Sequence, residues 1–213
     1  MNNKKIQNPE SKIQNQKSKI PNSPLIQKGF YFDQTRCTGC YTCAVACKDW
    51  HDIDAGPVNR MRIQTIEKGR FPNIFVAYLT LPCFHCEDAP CIPACPTDAI
   101  TKRESDGIVV VDQDMCLGNK ECRTLCLNAC PYNAPQFGPE ENAKMQKCDL
   151  CLERLGQGQQ PICIEACPLY ALDAGPLDQL KARYGDASDA EGFRYSKRFK
   201  PSVTFKPKKD DIT

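Results

Sequence analysis

The chain has 213 residues, a formal net charge of +2, and 16 cysteines beside only two histidines. A net charge so close to zero gives no reason to expect nucleic-acid binding, and no stretch approaches the ~18 apolar residues of a membrane-spanning helix. Residues 1–28 contain neither an apolar signal-peptide core nor a twin arginine, so the sequence predicts folding in a reducing compartment, where disulfides are rare.

The N-terminal segment, residues 1–28, is polar and of low complexity. Residues 4–24 repeat a loose heptad that Pro9, Pro21 and Pro24 interrupt, with one apolar residue in each heptad. A coiled-coil seam needs two apolar positions per heptad. We therefore expect a disordered extension, or one draped over a partner.

Short strands and helices are predicted around the cysteines. Alternating and β-branched stretches indicate strands, and a proline before an apolar stripe that ends at glycine indicates a helix. The predicted strands cover residues 30–32, 61–66, 74–81 and 108–111, the predicted helices cover 41–51 and 176–184, and a turn is predicted at 68–70.

The cysteines form four quartets with none left over. They are Cys37, Cys40, Cys43 and Cys47; Cys83, Cys86, Cys91 and Cys95; Cys116, Cys122, Cys126 and Cys130; and Cys148, Cys151, Cys163 and Cys167. The first has the C-x2-C-x2-C-x3-C spacing of bacterial ferredoxins, and each of the others ends in Cys-Pro. Sixteen thiolates are the ligand count of four [4Fe–4S] clusters, which predicts a protein that carries single electrons.

Two other uses of cysteine fit the quartets less well. A disulfide framework requires a secreted context. Zinc ribbons pair two CxxC motifs but do not repeat a quartet that ends in Cys-Pro.

The quartets and their flanks resemble a known family. The relevant segments are RCTGCYTCAVACKDWHD (36–52), CFHCEDAPCIPACPTDAI (83–100), DGIVVVDQDMCLG (106–118), CPYNAPQFG (130–138) and a stretch beginning KCDLCLERLGQGQQPICIEACP (147–168). They resemble the four-cluster iron–sulfur (beta) subunit of the dimethyl sulfoxide reductase family of molybdenum or tungsten oxidoreductases. The 11 residues between Cys151 and Cys163 are the most specific part of the resemblance.

The resemblance implies an α+β fold of two ferredoxin-like units, each with pseudo-two-fold symmetry. The outer unit would contain residues 29–82 and 139–185, with a β insertion at 52–82, and the inner unit would contain residues 83–138. A basic arm, residues 186–213, would follow as a solvated tail or as a segment laid over a partner.

The resemblance also implies that the quartets exchange their last cysteines, giving four iron–sulfur sites. Site A would be Cys37, Cys40, Cys43 and Cys167; site B, Cys148, Cys151, Cys163 and Cys47; site C, Cys83, Cys86, Cys91 and Cys130; and site D, Cys116, Cys122, Cys126 and Cys95.

The third quartet departs from the family pattern. Its spacing is C-x5-C-x3-C-x3-C, whereas the family usually has C-x2-C-x2-C-x3-C. All four cysteines remain, so we expect a [4Fe–4S] cluster on a longer loop. A [3Fe–4S] cluster, with either Cys116 or Cys122 not bound to iron, is the alternative.

The resemblance further implies a subunit without a catalytic site or an organic cofactor site of its own. It would carry electrons between a large Mo- or W-bis-pterin catalytic subunit, on the side of the outer unit, and a membrane anchor or other carrier, on the side of the inner unit. The subunit would stay in the cytoplasm or reach the periplasm with a signal-bearing partner, and it would meet the membrane only through a partner. A free-standing polyferredoxin, or the electron subunit of a hydrogenase or an aldehyde oxidoreductase, is the alternative.

Three residues next to the ligands each have two interpretations. His85, between two cysteines, is expected beside a cluster or at the surface rather than as a ligand. Arg36 and Lys147 each precede the first cysteine of a quartet, where their charge would offset that of the thiolates or face solvent.

Overall fold

The helices and strands are short because the polypeptide repeatedly bends around its cysteines. The computed structural model describes residues 26–210, so nearly all of the predicted N-terminal extension lies outside the described residues. Within them the strands are β1 Lys28–Asp33, β2 Ile63–Arg70, β3 Asn73–Thr80, β4 Ile100–Lys102, β5 Val109–Val111, β6 Leu172–Pro176 and β7 Val203–Lys206. The helices are α1 Thr42–Trp50, α2 Asn119–Cys122, α3 Leu125–Ala129, α4 Leu152–Gly156, α5 Ile162–Glu165 and α6 Leu177–Tyr184.

The central sheet has the strand order β6-β1-β7. Strand β1 pairs antiparallel with β6 and parallel with β7. All of its residues from Gly29 to Asp33 are buried, as a strand between two others requires. This pairing places the segment that enters the first quartet beside the segment that leaves the fourth.

The C-terminal segment contributes to the core. Val203 and Phe205 are buried, and the Phe205 ring centroid lies 4.7 Å from that of Phe193. Phe193 packs in turn against Phe84 and Tyr132, at 5.2 and 5.1 Å. The solvated-tail interpretation is therefore wrong for residues 203–206, because the apolar residues between the basic ones complete the central sheet.

Strands β2 and β3 form a hairpin within the predicted insertion. Phe75, Ala77 and Leu79 of β3 are buried, as expected when alternate side chains of a strand face the core. The predicted turn at 68–70 is wrong. Those residues pair with Phe75, Ile74 and Asn73, so the turn falls at Phe71 and Pro72, where a proline cannot donate to the ladder.

Strand β5 and helices α1 and α6 agree with the sequence predictions, whereas β4, β6 and α2 to α5 were not predicted. Strand β5 pairs antiparallel with β4, and helix α1 follows the first two cysteines and carries Cys43 and Cys47. Helix α6 ends at Gly185, whose φ of 96° suits glycine. Tyr184 at the end of α6 stacks on Tyr31 of β1, with ring centroids 3.8 Å apart, and so fixes this helix to the sheet.

Candidate metal centres

Three apolar cavities are each lined by four cysteines, and each set combines cysteines from two quartets. One cavity is lined by Cys37, Cys40, Cys43 and Cys167; a second by Cys83, Cys86, Cys91 and Cys130; and a third by Cys95, Cys116, Cys122 and Cys126. These sets have the membership expected for sites A, C and D.

The remaining four cysteines also lie together. Cys163 is fully enclosed, and after burial the groups that most raise its pKa are the thiols of Cys148, Cys151 and Cys47. The thiol that most raises the pKa of Cys47 is Cys151. For Cys43, one turn earlier in α1, that thiol is Cys167. One helix therefore contributes thiols to two different groups.

The three Cys-Pro motifs have the same local backbone. The third residue after the cysteine, which is Asp98, Asn133 or Tyr170, has a positive φ of 50–53°. The next residue is alanine in all three motifs. The Ala134 N–H donates to the Cys130 Sγ at 3.4 Å, and the Ala171 N–H donates to the Cys167 Sγ at 3.3 Å. This turn points a backbone donor at the sulfur, which favours the thiolate form.

The environment of these thiols fits an iron–sulfur cluster better than free cysteines. Burial, followed by neighbouring thiols, raises the pKa of Cys43, Cys47 and Cys91 to about 12. Four bare thiolates in such a cavity would repel one another without water to screen them. Iron provides the positive charge that such a group requires, and four thiolates are the usual ligands of a [4Fe–4S] cluster.

The enlarged loop of the third quartet is held by the segment that faces it. The Asn142 side chain accepts from the Lys120 N–H at 3.2 Å and donates to the Leu117 carbonyl at 2.8 Å. It also donates to a Glu121 carboxylate oxygen at 3.1 Å. Asn142 thus stabilises the loop that carries Cys116 and Cys122.

Replacing Asn142 by glycine is expected to speed iron loss from site D about tenfold, because roughly 1–3 kcal/mol of loop hydrogen bonding is lost. Glycine accepts the φ of 56° at this position, so the change removes the side-chain bonds without adding backbone strain. Chelator-chase kinetics followed by electron paramagnetic resonance (EPR) measure the rate. Asn133→Gly is the matched control, since Asn133 also has a positive φ of 50° and its side chain is exposed. Equal rates in both variants would contradict this role of Asn142.

His85 and Lys147 lie beside the thiols, away from solvent. The Nδ1 of His85 accepts the Val109 N–H at 3.1 Å and lies 4.0 Å from the Cys83 Sγ. Lys147 is 3% exposed and donates to the carbonyls of Val109 and Cys148. The solvent-facing interpretation is therefore wrong for Lys147, whereas the Arg36 side chain is 57% exposed.

His51 next to site B was not identified from the sequence. It follows the last residue of α1, and its Nε2 lies 3.5 Å from the Cys151 Sγ. The sequence did offer one indication, because His51 lies four residues after Cys47 and a residue four positions on, at the end of a helix, lies on nearly the same face.

The described part of the protein, residues 26–210, contains no helix that is long and apolar enough to cross a membrane.

Comparison with known proteins identifies a family of iron–sulfur proteins. Residues 74–176 match the family model of a 4Fe-4S dicluster domain. The chain is 44% identical over 189 residues to the B subunit of anaerobic dimethyl sulfoxide reductase from Escherichia coli strain K12, covering 85% of this chain and 89% of the relative. It is 42% identical over 192 residues to the protein of the same name in Haemophilus influenzae, covering 86% and 90%. The formate dehydrogenase iron-sulfur subunit of Wolinella succinogenes is 41% identical over 126 residues, covering 57% of this chain and 59% of the relative. The protein therefore belongs to the family of iron–sulfur (beta) subunits of anaerobic dimethyl sulfoxide reductase.

Proposed function

We propose that this chain is the electron-transfer subunit of an oxidoreductase complex and holds four [4Fe–4S] clusters, one at each of sites A to D. When bound, such clusters take up and release single electrons without making or breaking bonds in a substrate. The observation that carries the proposal is the gathering of the cysteines into four groups of four, each drawn from two quartets.

The proposed subunit has two ferredoxin-like units. The outer unit, residues 29–82 and 139–185, holds sites A and B, and the inner unit, residues 83–138, holds sites C and D. The pairing of strands supports this division. In the outer unit, β1, which precedes the first quartet, pairs with β6, which follows the fourth quartet. In the inner unit, β4, which follows the second quartet, pairs with β5, which precedes the third quartet.

The protein's own residues would prepare each site for electron transfer. Buried aromatic and aliphatic side chains, such as Phe84 and Tyr132 at site C, exclude water from the sulfurs. Backbone N–H groups, such as those of Ala134 and Ala171, donate to cysteine sulfurs. Hydrogen bonding and solvent exposure set the reduction potential of such sites, so these groups would tune each of them.

At site D we propose a [4Fe–4S] cluster rather than a [3Fe–4S] cluster. Cys116, Cys122 and Cys126 all line one cavity with Cys95, which supports four ligands despite the longer loop. The Cys122 thiol lies 3.0 Å from the Gly118 carbonyl, and the single turn of α2 points it into this cavity.

The proposed partners are a large Mo- or W-bis-pterin catalytic subunit next to the outer unit and a membrane anchor or another electron carrier next to the inner unit. Relatives named as subunits of dimethyl sulfoxide reductase and formate dehydrogenase support a catalytic partner. The complex would lie in the cytoplasm, or in the periplasm after export with a signal-bearing partner, and would reach the membrane through a partner.

Anaerobic purification of the protein from its host, with Mo, W and Ni measured in every co-eluting protein, tests this assignment. The expected result is stoichiometric Mo or W on one large partner. Recovery of the iron-loaded chain alone would favour a free-standing polyferredoxin, and Ni on the partner would favour a hydrogenase.

A further inference from the structure

The side chain of His51 is held between an arginine and a cysteine of site B. The Arg60 Nη1 lies 3.2 Å from the His51 Nδ1, and the His51 Nε2 lies 3.5 Å from the Cys151 Sγ. The side chains of His51 and Arg60 are 14% and 15% exposed. The three groups therefore form a continuous, largely enclosed contact from the guanidinium to the sulfur.

The chemistry of arginine determines which nitrogen of His51 carries the proton. A guanidinium can only donate hydrogen bonds, so the His51 Nδ1 must accept. In a neutral imidazole the other nitrogen then bears the hydrogen. The His51 Nε2–H is thus a donor that faces Cys151.

Asp149 is another acceptor close to this donor, and it is less well placed. Its Oδ1 lies 4.0 Å from the His51 Nε2, beyond hydrogen-bond distance, and already accepts the Cys151 N–H at 2.9 Å. Its Oδ2 lies 3.7 Å from the Arg60 Nη1. Asp149 therefore holds Arg60 and the Cys151 backbone in place, and the Cys151 sulfur is the closer acceptor for His51.

We infer that His51 donates a hydrogen bond to the Cys151 sulfur and thereby raises the reduction potential of site B, with Arg60 as the positioning residue that fixes the His51 tautomer. This inference rests on the proposed function, since it takes Cys151 to be an iron ligand. Reduction adds negative charge that is shared with the thiolate sulfurs, and a donor stabilises that charge more in the reduced state than in the oxidised state. The electron comes from the external reductant, and the proton stays on His51.

The test is an EPR redox titration of the iron-loaded chain, reduced with dithionite, in four forms: wild type, His51→Leu, His51→Gln and Cys151→Ser. Cys151→Ser identifies the signal of site B. His51→Leu is expected to lower the equilibrium constant for reduction of that site alone about tenfold, which is about 59 mV for one electron. His51→Gln is expected to retain most of the wild-type value, because its amide N–H can reach the position of the imidazole Nε2.

A second comparison separates the tautomer effect from the charge of Arg60. Arg60→Met is measured alone and in the His51→Leu background. If Arg60 acts through His51, the Arg60→Met replacement lowers the site B potential more when His51 is present than in the His51→Leu background. Equal effects in both backgrounds would overturn the positioning role and leave only a charge effect.

The remaining outcomes separate this inference from the proposed function. Four iron–sulfur signals with unchanged potentials in His51→Leu would overturn the inference and leave the proposed function standing. Loss of about four iron atoms in His51→Leu would make His51 a ligand and overturn the hydrogen-bond role. If Cys151→Ser changes none of the signals, both the proposed ligation and the inference fail.

Discussion

Replacing Cys47 by serine is expected to disrupt site B and to leave site A intact, although Cys47 belongs to the first quartet along the chain. Among its neighbouring thiols, Cys151 raises the pKa of Cys47 the most, and both cysteines are buried. Serine is a poorer iron ligand than a thiolate, so we expect iron to fall by up to about four atoms per chain. EPR titration would show one signal lost or shifted and three unchanged.

Cys43→Ser is the matched control for this experiment. Cys43 and Cys47 lie one turn apart in α1, are 8% and 6% exposed, and each has a pKa raised to about 12. We expect the two variants to change different signals, because Cys43 lies next to Cys167. If both variants removed the same signal, the exchange of cysteines between quartets would be contradicted.

Replacing Phe205 by alanine is expected to lower the free energy of unfolding by about 3–5 kcal/mol, the usual cost of removing a buried phenylalanine ring. Phe205 is 1% exposed and contacts Phe193, which packs on the aromatic residues lining site C. The expected consequence is a lower midpoint for thermal loss of the visible iron–sulfur absorbance under anaerobic conditions.

The control for Phe205 is Phe71→Ala, at the tip of the β2–β3 hairpin. Phe71 is 88% exposed, so its replacement should change stability by no more than about 0.5 kcal/mol. Equal thermal midpoints for the two variants would contradict the packing of the C-terminal segment into the core.

The sequence predicted features that depend on local spacing. Helix α1 and strand β1 follow from residues next to the first quartet, and α6 follows from an apolar stripe between Pro176 and Gly185. Iron–sulfur chemistry followed from the cysteine spacing, whereas the exchange of cysteines stays a prediction from family resemblance. These predictions needed no knowledge of distant contacts.

The features that could not be predicted from the sequence depend on contacts between distant parts of the chain. Strand β7 pairs with β1 across more than 170 residues, and basic residues on either side of it conceal its apolar content. Lys147 is buried because carbonyls of Val109 and Cys148 accept its ammonium group. His51 became identifiable as a donor only when Arg60, from the loop before β2, was found beside it.

The most direct test of the central claim is to count iron, sulfide and electrons in the anaerobically purified protein. We predict about 16 iron and about 16 acid-labile sulfide per chain, and uptake of about four electrons on full reduction, one at each site. About 15 iron with a [3Fe–4S] signal would contradict the four-ligand assignment at site D. About eight iron per chain would contradict the presence of four cluster sites.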